Sequence, residues 1–350
     1  MLEKPIFKFF ISFAVLAFST SAIAEPGLWT DSKDETLPLD FKIQGEYAGE
    51  KVGAHVIALG DGNFQAVLYT GGLPGAGWDQ KNRSLLAGKL EGKVAKFTPA
   101  EGTRKYLAGS ADEFSAAAEF PPAGHKAYTG SITGDKFALK SGGDEITLTK
   151  TTRVSDTMGA KPPEGATVLF DGSNADAFAG GRLDEGTKLL NTDGKDIKTK
   201  GKFSNYTMHI EFMLPFKPAA RGQGRGNSGF YQVDHYEVQI LDSFGLEGEN
   251  NECGGVYTKA KPLVNMCAPP LSWQTYDVEF TNSVADADGK KTKNAVMTLR
   301  HNGVLIHDKL VIDGKTGGSR QQPEGTPGPI KLQGHGNPLQ YRNVWIVENK

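Results

Sequence analysis

Short segments of alternating apolar and polar residues, separated by glycine-rich turns, limit how this chain can fold. Glycine accounts for 44 of the 350 residues, and turn sequences such as Gly60-Asp61-Gly62-Asn63 and Thr133-Gly134-Asp135 stand between the segments. Runs with helical periodicity are scarce, so helix is expected only as a minor component. Asn302-Gly303 lies between two apolar runs and predicts a hairpin with a type I′ turn. The pattern therefore predicts an all-β chain.

The first half of the chain shows this strand pattern repeatedly and offers little chemistry. One segment, Ala111 to Phe120, is compatible with a short helix. Trp78 follows a Gly-rich loop, where it either stacks on a sugar or caps a small core. The predicted strands are Lys42–Tyr47, Val52–Leu59, Phe64–Tyr69, Ser84–Leu90, Val94–Pro99, Tyr128–Thr133, Lys136–Lys140 and Glu145–Lys150.

The N-terminus has the order of features of a secretory signal peptide. Lys4 and Lys8 precede the apolar run Phe9–Phe18, and Ala22-Ile23-Ala24 supplies small residues before Glu25. We predict that residues 1–24 are a signal peptide and that the protein is exported to the periplasm or the extracellular space. The apolar run is shorter than the roughly 18 residues of a membrane span, so no membrane anchor is expected after cleavage.

A change in composition divides the remaining chain into two predicted domains. Residues 151–165 have little apolar content and include Pro162-Pro163, which is typical of a linker. We predict a small β accessory domain over residues 27–150 and a second domain over residues 166–350. The net charge of −2 gives no electrostatic reason to bind a polyanion, so nucleic acid is not an expected partner.

Three segments of the second domain place polar and apolar residues on opposite faces, because successive strand side chains alternate. The segments are Tyr206–Met213, Tyr236–Asp242 and Ile330–His335. A solvated sheet surface is one explanation. The composition favours another, a groove with donors and acceptors for sugar hydroxyls. The polar faces hold His209, Glu211, Glu237, Gln239, Lys331, Gln333 and His335.

Two further features of the second domain bear on metals and disulfides. Cys253 and Cys267 are the only cysteines, and an oxidising destination would allow them to form a disulfide. Their spacing, with no His between them, does not match a zinc site. Glu247, Glu249 and Glu252 form an acidic loop, but Asp ligands at the spacing of a calcium loop are missing.

Several motifs of the second domain together resemble a known family. They are Val168-Leu169-Phe170-Asp171-Gly172, Gly226-Asn227-Ser228-Gly229-Phe230, Tyr236-Glu237-Val238-Gln239-Ile240-Leu241-Asp242, Gly255-Val256-Tyr257, Leu332-Gln333-Gly334-His335-Gly336 and Tyr341-Arg342-Asn343-Val344. The domain resembles the 3-keto-disaccharide hydrolase family, a concanavalin-like jelly-roll β-sandwich found in exported bacterial proteins. The first domain lies outside this resemblance.

The resemblance implies cleavage of glycosides that are already oxidised at C3. A ketone at C3 acidifies the C2 hydrogen, so a positioned base can form an enolate that expels the C1 substituent before water adds. Glu237 and His335 are the candidate base and acid, in either order. Asn227, Gln239 and Arg342 would bind hydroxyls or the enolate oxygen, with Asp242 and Tyr257 shaping the pocket. The other predicted substrate-binding residues are Gln333, His209 and Glu211.

No cofactor is required by the sequence. A bound divalent metal such as calcium would polarise the ketone in the same way as a hydrogen-bond donor, and the sequence neither requires nor excludes it. The expected partner is a saccharide or glycoside substrate.

Two other functions are compatible with a jelly roll, because fold does not determine function. A conventional glycoside hydrolase needs two carboxylates that flank the scissile bond. The candidates for this pair of carboxylates are Glu211 and Glu237. A non-catalytic carbohydrate-binding protein needs accessible aromatic side chains such as Trp78, Tyr257 or Trp273. These alternatives differ in whether they cleave an unoxidised glycoside.

Overall fold

A computed structural model describes residues 27–349, in which a closed β-barrel precedes a two-sheet β-sandwich. The predicted signal peptide therefore lies outside the described residues. One helix, α1, spans Leu39–Ile43 ahead of the barrel. The barrel closes in the order β1-β10-β9-β8-β5-β4-β3-β2. The strands of this first unit are β1 Gly45–Ala48, β2 Val52–Gly60, β3 Asn63–Thr70, β4 Arg83–Glu91, β5 Val94–Pro99, β6 Lys105–Tyr106, β7 Phe114–Ser115, β8 Thr129–Thr133, β9 Lys136–Ser141 and β10 Asp144–Thr151.

The predicted strands of the first half are confirmed except at the start of the first one, and the segment considered for a short helix is not helical. Residues 39–43 form α1, so the first strand starts at Gly45 rather than at Lys42. The segment Ala111–Phe120 is not helical and contains the two-residue strand β7. Its backbone instead pairs in parallel with β6, where Lys105 N donates to Glu113 O at 2.8 Å.

Strands β2 and β3 are apolar on both faces because they take part in two hydrophobic cores. Val56 and Ala58 point into the barrel core, which also contains Phe64. The alternate residues Ile57 and Leu59 pack into the core of the sandwich. Because both faces are buried, the sequences of β2 and β3 are nearly continuous runs of apolar residues. The two units therefore share a hydrophobic interface.

The second unit is a sandwich of a larger and a smaller sheet. The larger sheet has the order β13-β14-β25-β16-β19-β22-β23, with β11 paired to β25. The smaller sheet has the order β12-β15-β24-β17-β18. A 3-10 turn spans Gly222–Gly224. The strands are β11 Thr167–Phe170, β12 Phe178–Ala179, β13 Arg182–Asp184, β14 Leu189–Asn191, β15 Ile197–Thr199, β16 Tyr206–Met213, β17 Ser228–Gln232, β18 Tyr236–Ile240, β19 Trp273–Thr281, β20 Val284–Ala285, β21 Lys291–Lys293, β22 Ala295–His301, β23 Val304–Ile312, β24 Lys331–Leu332 and β25 Gln340–Glu348.

Side chains between the two sheets form the sandwich core and fix which way each strand faces. Tyr206 of β16 donates to Gln232 of β17 at 2.9 Å, and Tyr276 of β19 donates to the carbonyl of Gln239 at 2.8 Å. Phe230 and Tyr276 stack with ring centroids 6.2 Å apart. These contacts direct the alternate residues of each strand to the outer faces of the sandwich.

The hairpin predicted at Asn302-Gly303 joins β22 to β23. Both turn residues have positive φ, 50° at Asn302 and 80° at Gly303, which is the geometry of a type I′ turn. His301 pairs with Val304 across the turn. The prediction is therefore confirmed.

The predicted linker is not a free spacer. Residues 153–160, here called the strap, lie across the outer face of the larger sheet. Thr157 donates to Asp277 of β19 at 2.6 Å, and Gly159 N donates to Glu211 of β16 at 2.7 Å. The carbonyl of Ala160 accepts from Trp345 at 3.1 Å. The strap therefore covers polar side chains that would otherwise face solvent.

Both cysteines are free thiols in this structure rather than a disulfide. Cys253 and Cys267 are buried, and the Cys267 thiol donates to the carbonyl of Leu241 at 3.5 Å. The hydroxyl of Tyr276 also lies 3.2 Å from the Cys253 sulfur. The structure thus has two free thiols where a disulfide bond was predicted, and oxidation of Cys253 and Cys267 to a disulfide after export stays a prediction. Within residues 27–349, no helix is long and apolar enough to cross a membrane.

Candidate active site

A row of polar side chains crosses the outer face of the smaller sheet. Register pairs Lys198 with Lys331, Lys331 with Tyr231, and Tyr231 with Glu237. Four neighbouring strands, β15, β24, β17 and β18, each contribute one of these residues. Cross-strand partners of this kind have Cβ atoms about 5 Å apart. We call these four residues the polar row.

Glu237 is at the end of the polar row and is only 3% exposed. Its Oε2 accepts a hydrogen bond from the Tyr231 hydroxyl at 2.8 Å. Its Oε1 makes no hydrogen bond within residues 27–349. This oxygen is not completely buried, so it remains accessible to a ligand or to water. One carboxylate oxygen is thus held in place, and the other is free to accept a proton.

Burial raises the pKa of Glu237 to about 7, against the opposing effects of the Tyr231 hydrogen bond and the Lys331 charge. The negative charge of Asp196 adds to the increase in pKa. A carboxyl group with a pKa near the working pH exchanges protons readily, which is the property that general acids and bases need.

Tyr231 connects Glu237 to the loop that follows β23. Its hydroxyl lies 2.9 Å from the carbonyl of Gly317 as well as 2.8 Å from Glu237. When Glu237 is ionised, the hydroxyl donates to the carboxylate. When Glu237 is protonated, it can donate to the hydroxyl, which then donates to Gly317. The arrangement accommodates both protonation states of the carboxyl group.

Lys331 holds the middle of the polar row. Its Nζ lies 3.6 Å from the centre of the Tyr231 ring, donates to the Gly318 carbonyl at 2.6 Å and is 3.1 Å from Asp234. A cation over an aromatic face is attracted to it. These contacts fix the Tyr231 ring and, through it, the orientation of the Glu237 carboxylate.

Side-chain amides extend the same face away from the polar row. Gln239 Nε2 donates to Asn227 Oδ1 at 2.9 Å, and Asn227 Nδ2 donates to Gln223 Oε1 at 3.0 Å. We call Gln223, Asn227 and Gln239 the amide cluster. Asn227 and Gln239 are buried, whereas Gln223 is exposed, and each amide has both donors and acceptors.

The remaining predicted residues of this face have different positions. Tyr257 is partly exposed beside Gly317, and its backbone N donates to the Glu237 carbonyl at 3.1 Å. Gln333 is partly exposed, and its backbone N donates to Gly229 O at 2.8 Å. His335 lies exposed in the loop after β24 and makes no hydrogen bond to Glu237. The hydrogen bond to the Glu237 side chain comes from Tyr231, and the role of His335 as base or acid stays a prediction.

Three predicted residues lie on the opposite side of the sandwich, which corrects the predicted groove. His209, Glu211 and Arg342 belong to β16 and β25 of the larger sheet and point to its outer face, under the strap. Arg342 Nε donates to Glu211 Oε2 at 2.6 Å, and its guanidinium lies 4.0 Å from the Trp273 ring centre. The full thickness of the core separates them from Glu237.

The group on the larger sheet is an ion-pair network. His209 Nδ1 lies 2.6 Å from Asp277 and its Nε2 lies 3.5 Å from Glu211. Burial lowers the pKa of His209, but these two carboxylates outweigh it and leave the pKa raised. Burial raises the pKa of Glu211, but hydrogen bonds from His209, Asn343 and Arg342 outweigh it and hold the pKa at about 2. These groups are each other's partners and hold the strap.

Asp242 is also corrected, from the pocket to the domain interface. It lies beyond the end of β18 and its Oδ2 accepts from Arg225 Nε at 2.6 Å. Arg225 also donates to the carbonyl of Ala58 on the barrel at 3.0 Å. Both side chains are buried. This pair therefore holds the two units together.

The described residues hold no group of three or more His, Cys, Asp or Glu side chains placed to bind a metal ion. A cavity of about 530 Å³ lies between the barrel, the strap and the sandwich, and Glu46, Lys150 and Arg153 contribute to its lining. It contains no residue of the polar row or of the amide cluster.

A comparison with protein-family models identifies the family to which this chain belongs. The model of the 3-keto-alpha-glucoside-1,2-lyase-like domain matches residues 165–347. The chain belongs to this family. The matched residues span the sandwich, including the polar row and the amide cluster. Membership makes this a carbohydrate-active protein of the glycosyl hydrolase type, with a saccharide as its class of substrate.

Solved structures from Parabacteroides distasonis ATCC 8503 are similar to about half of the chain. One candidate glycosyl hydrolase is 34% identical, with 53% of this chain and 85% of that chain covered and a TM-score of 0.49. A second is 19% identical, with 53% and 95% covered and a TM-score of 0.39. A comparison with curated proteins finds no match.

Gly229 makes the position of Glu237 possible, which gives a first prediction. A Cβ at residue 229 would lie 2.2 Å from Glu237 Oε1 and 2.8 Å from the Tyr231 ring. Gly229→Ala should therefore displace both groups and lower kcat/KM by about 10²-fold, the effect of misplacing a reacting group by about 1 Å. Steady-state kinetics would measure it.

Gly109→Ala is the matched control, because a Cβ there has open space. It should leave kcat/KM unchanged. Equal activities for Gly229→Ala and wild type would show that the packed position of Glu237 is unimportant.

Proposed function

We propose that this protein cleaves glycosides oxidised at C3, with Glu237 as the base that removes the C2 proton. The observation that carries the proposal is a buried carboxyl group with one free oxygen, one oxygen held by Tyr231 at 2.8 Å and a pKa of about 7. The family description, which names a 3-keto-glucoside lyase, supports the same substrate class.

The proposed reaction begins with transfer of the C2 proton to Glu237 Oε1. The electron pair of the C2–H bond forms the C2–C3 double bond of an enolate, and the ketone oxygen takes the negative charge. Collapse of the enolate restores the ketone, forms a C1–C2 double bond and expels the C1 substituent with its bonding electrons. A proton goes to the departing oxygen, and water then adds to the C1–C2 double bond.

The other residues of the face have supporting roles in this proposal. The amide cluster and Gln333 bind sugar hydroxyls, and Tyr257 forms one wall beside Gly317. Tyr231 orients the Glu237 carboxyl group, and its hydroxyl can hydrogen-bond to both the ionised and the protonated form of that group. His335 is the proposed donor to the departing oxygen, a role that rests on the family resemblance alone. Export by the first 24 residues likewise stays a proposal.

The geometry disfavours the two-carboxylate alternative with Glu211 and Glu237. These residues lie on different sheets and point to opposite outer faces. Packed sheets are already about 10 Å apart, and the carboxyl pairs of glycosidases are about 5 to 9.5 Å apart. Glu211 and Glu237 therefore cannot flank one glycosidic bond.

A comparison of two substrates tests the proposal. The protein would be incubated with a 3-keto-glucoside and with its unoxidised parent, and release of the C1 substituent followed by chromatography. Release from the keto compound alone is expected. Release from the parent would support a conventional hydrolase, and binding of either without release would support a non-catalytic carbohydrate-binding protein.

The pKa of Glu237 predicts how the activity depends on pH. Because the base must be ionised, kcat/KM should rise with pH through a midpoint near pH 7, the pKa of the buried carboxyl group. Tyr231 lowers this pKa by its hydrogen bond, so Tyr231→Phe should move the midpoint to higher pH. A pH–rate profile of both proteins measures the shift, and an unchanged midpoint would contradict the role of Tyr231.

A further inference from the structure

The acidic loop between β18 and β19 has contacts that explain its charges. Glu247 Oε1 accepts from Arg83 at 2.6 Å and its Oε2 accepts from Ala118 N at 3.2 Å. Glu249 lies 3.3 Å from Lys261. The three carboxylates of this loop, which include Glu252, therefore do not converge on a common centre.

Glu252 is the most buried of the three, at 1% exposed. Its Oε2 accepts from the backbone N of Gly248 at 2.7 Å and of Glu249 at 3.0 Å, which closes the turn. Its Oε1 accepts a hydrogen bond from the Tyr106 hydroxyl. Tyr106 belongs to β6, which pairs with β7 outside the closed barrel, so the first unit supplies the donor that completes this buried carboxylate.

The segment that follows Glu252 is bonded to the edge of β18. Gly254 N donates to the Gln239 carbonyl at 3.0 Å, and Gln239 N donates to the Gly255 carbonyl at 2.8 Å. Tyr257 N donates to the Glu237 carbonyl at 3.1 Å. Residues 252–257 thus form an additional edge beside the strand that bears the candidate base.

The same loop also reaches the amide cluster. Gln223 Nε2 donates to the carbonyl of Asn251 at 2.8 Å, and Gln223 is bonded to Asn227. One end of the loop therefore contacts the first unit through Tyr106, and the other contacts the amide cluster, Tyr257 and the backbone of β18.

We infer that Tyr106 is a positioning residue for the substrate-binding part of the site. It acts through Glu252 on residues 252–257, and through them on Tyr257 and Gln239. This inference rests on the proposed function and gives the first unit a role in it. The partners that orient the Glu237 carboxyl group, Tyr231 and Lys331, lie on β17 and β24 and do not depend on this loop.

Tyr106→Phe tests the inference, because it removes only the hydroxyl. Loss of binding contacts that are equal in the ground and transition states raises KM and leaves kcat unchanged. We expect KM for a 3-keto-glucoside to rise about tenfold, as for the loss of one buried hydrogen bond, with kcat and the pH midpoint unchanged. A general loss of folded protein would instead lower kcat at constant KM.

Hydrogen exchange provides a readout that does not need activity. In Tyr106→Phe, amides of residues 236–242 and 248–257 should exchange faster, and those of β2 and β3 should not change. Tyr128→Phe is the matched control, since Tyr128 is a barrel tyrosine whose hydroxyl has no hydrogen bond within the described chain. It should alter neither exchange nor KM.

The two readouts separate the failure of this inference from the failure of the proposed function. If the wild type does not cleave the keto compound, the proposed function fails, and exchange alone decides the inference. If the wild type is active, an unchanged KM in Tyr106→Phe overturns the inference. Unchanged exchange in residues 248–257 overturns it in either case.

Discussion

Glu237→Gln is expected to lower kcat/KM for a 3-keto-glucoside by about 10²- to 10⁴-fold, the usual contribution of a general base. Gln has nearly the same shape and can still accept the Tyr231 hydrogen bond through its amide oxygen, but it cannot take up the C2 proton. The thermal unfolding temperature should not fall, because the change removes a buried carboxyl group whose charged form is disfavoured by burial. Kinetics and thermal unfolding of the same preparation would measure both effects.

Glu279→Gln is the matched control for this prediction. Glu279 lies exposed on β19 of the same unit, so the same chemical change there should leave kcat/KM within about twofold of the wild type. A Glu237→Gln protein that retains most of its activity would rule out Glu237 as the base, whatever the substrate.

The largest loss of stability is expected for Arg225→Ala. The change leaves Asp242 buried without its ionic partner and removes the hydrogen bond to the Ala58 carbonyl across the interface. Removing one partner of a buried ion pair costs about 3–5 kcal/mol. The free energy of unfolding, measured by urea titration, should fall by about that amount.

Arg182→Ala is the control for charge removal. Arg182 contacts Asp184 and Asp193 but is 51% exposed, and exposed pairs contribute only about 0–1 kcal/mol. Replacing both members of the buried pair, as in Arg225→Met with Asp242→Leu, should recover part of the stability because no unpaired charge remains. An Arg225→Ala protein as stable as Arg182→Ala would contradict the proposed role of the pair.

Alternation was sufficient to predict β18, which carries Glu237, and to place the short strand β24 within the longer predicted segment Ile330–His335. It predicted Tyr236 to Asp242 as a strand with Glu237 and Gln239 on one face, of which Tyr236–Ile240 forms β18, and the same logic predicted β16. The turn at Asn302-Gly303 was predictable because only a few residues adopt positive φ at low cost. Local chemistry determines these features.

Alternation could not show which polar face was covered, and this caused the main error in the site. The faces with His209 and Glu237 look equivalent in sequence, but they belong to different sheets. The strap covers the face with His209, and its residues looked like a solvated linker. Which sheet a strand joins depends on long-range pairing, which a local pattern does not contain.

Tyr231 and Lys331 were missed for a different reason. Lys331 was on a predicted polar face without a role, and Tyr231 follows Phe230, so two adjacent aromatic residues hid the alternation of β17. The register of three strands brings them beside Glu237. Both faces of β2 and β3 are apolar in the sequence. This pattern was sufficient to predict that the barrel packs against a second unit.

Proton transfer at C2 is the central claim, and it can be observed directly. The protein would convert a 3-keto-glucoside in D2O, and the product would be examined by NMR for deuterium at C2 early in the reaction, with Glu237→Gln and an enzyme-free sample correcting for spontaneous exchange. The proposed mechanism predicts more deuterium at C2 of the product with the wild-type enzyme than with Glu237→Gln or without enzyme. Cleavage that leaves hydrogen at C2 would contradict it, because the C1 bond would then break without removal of the C2 proton.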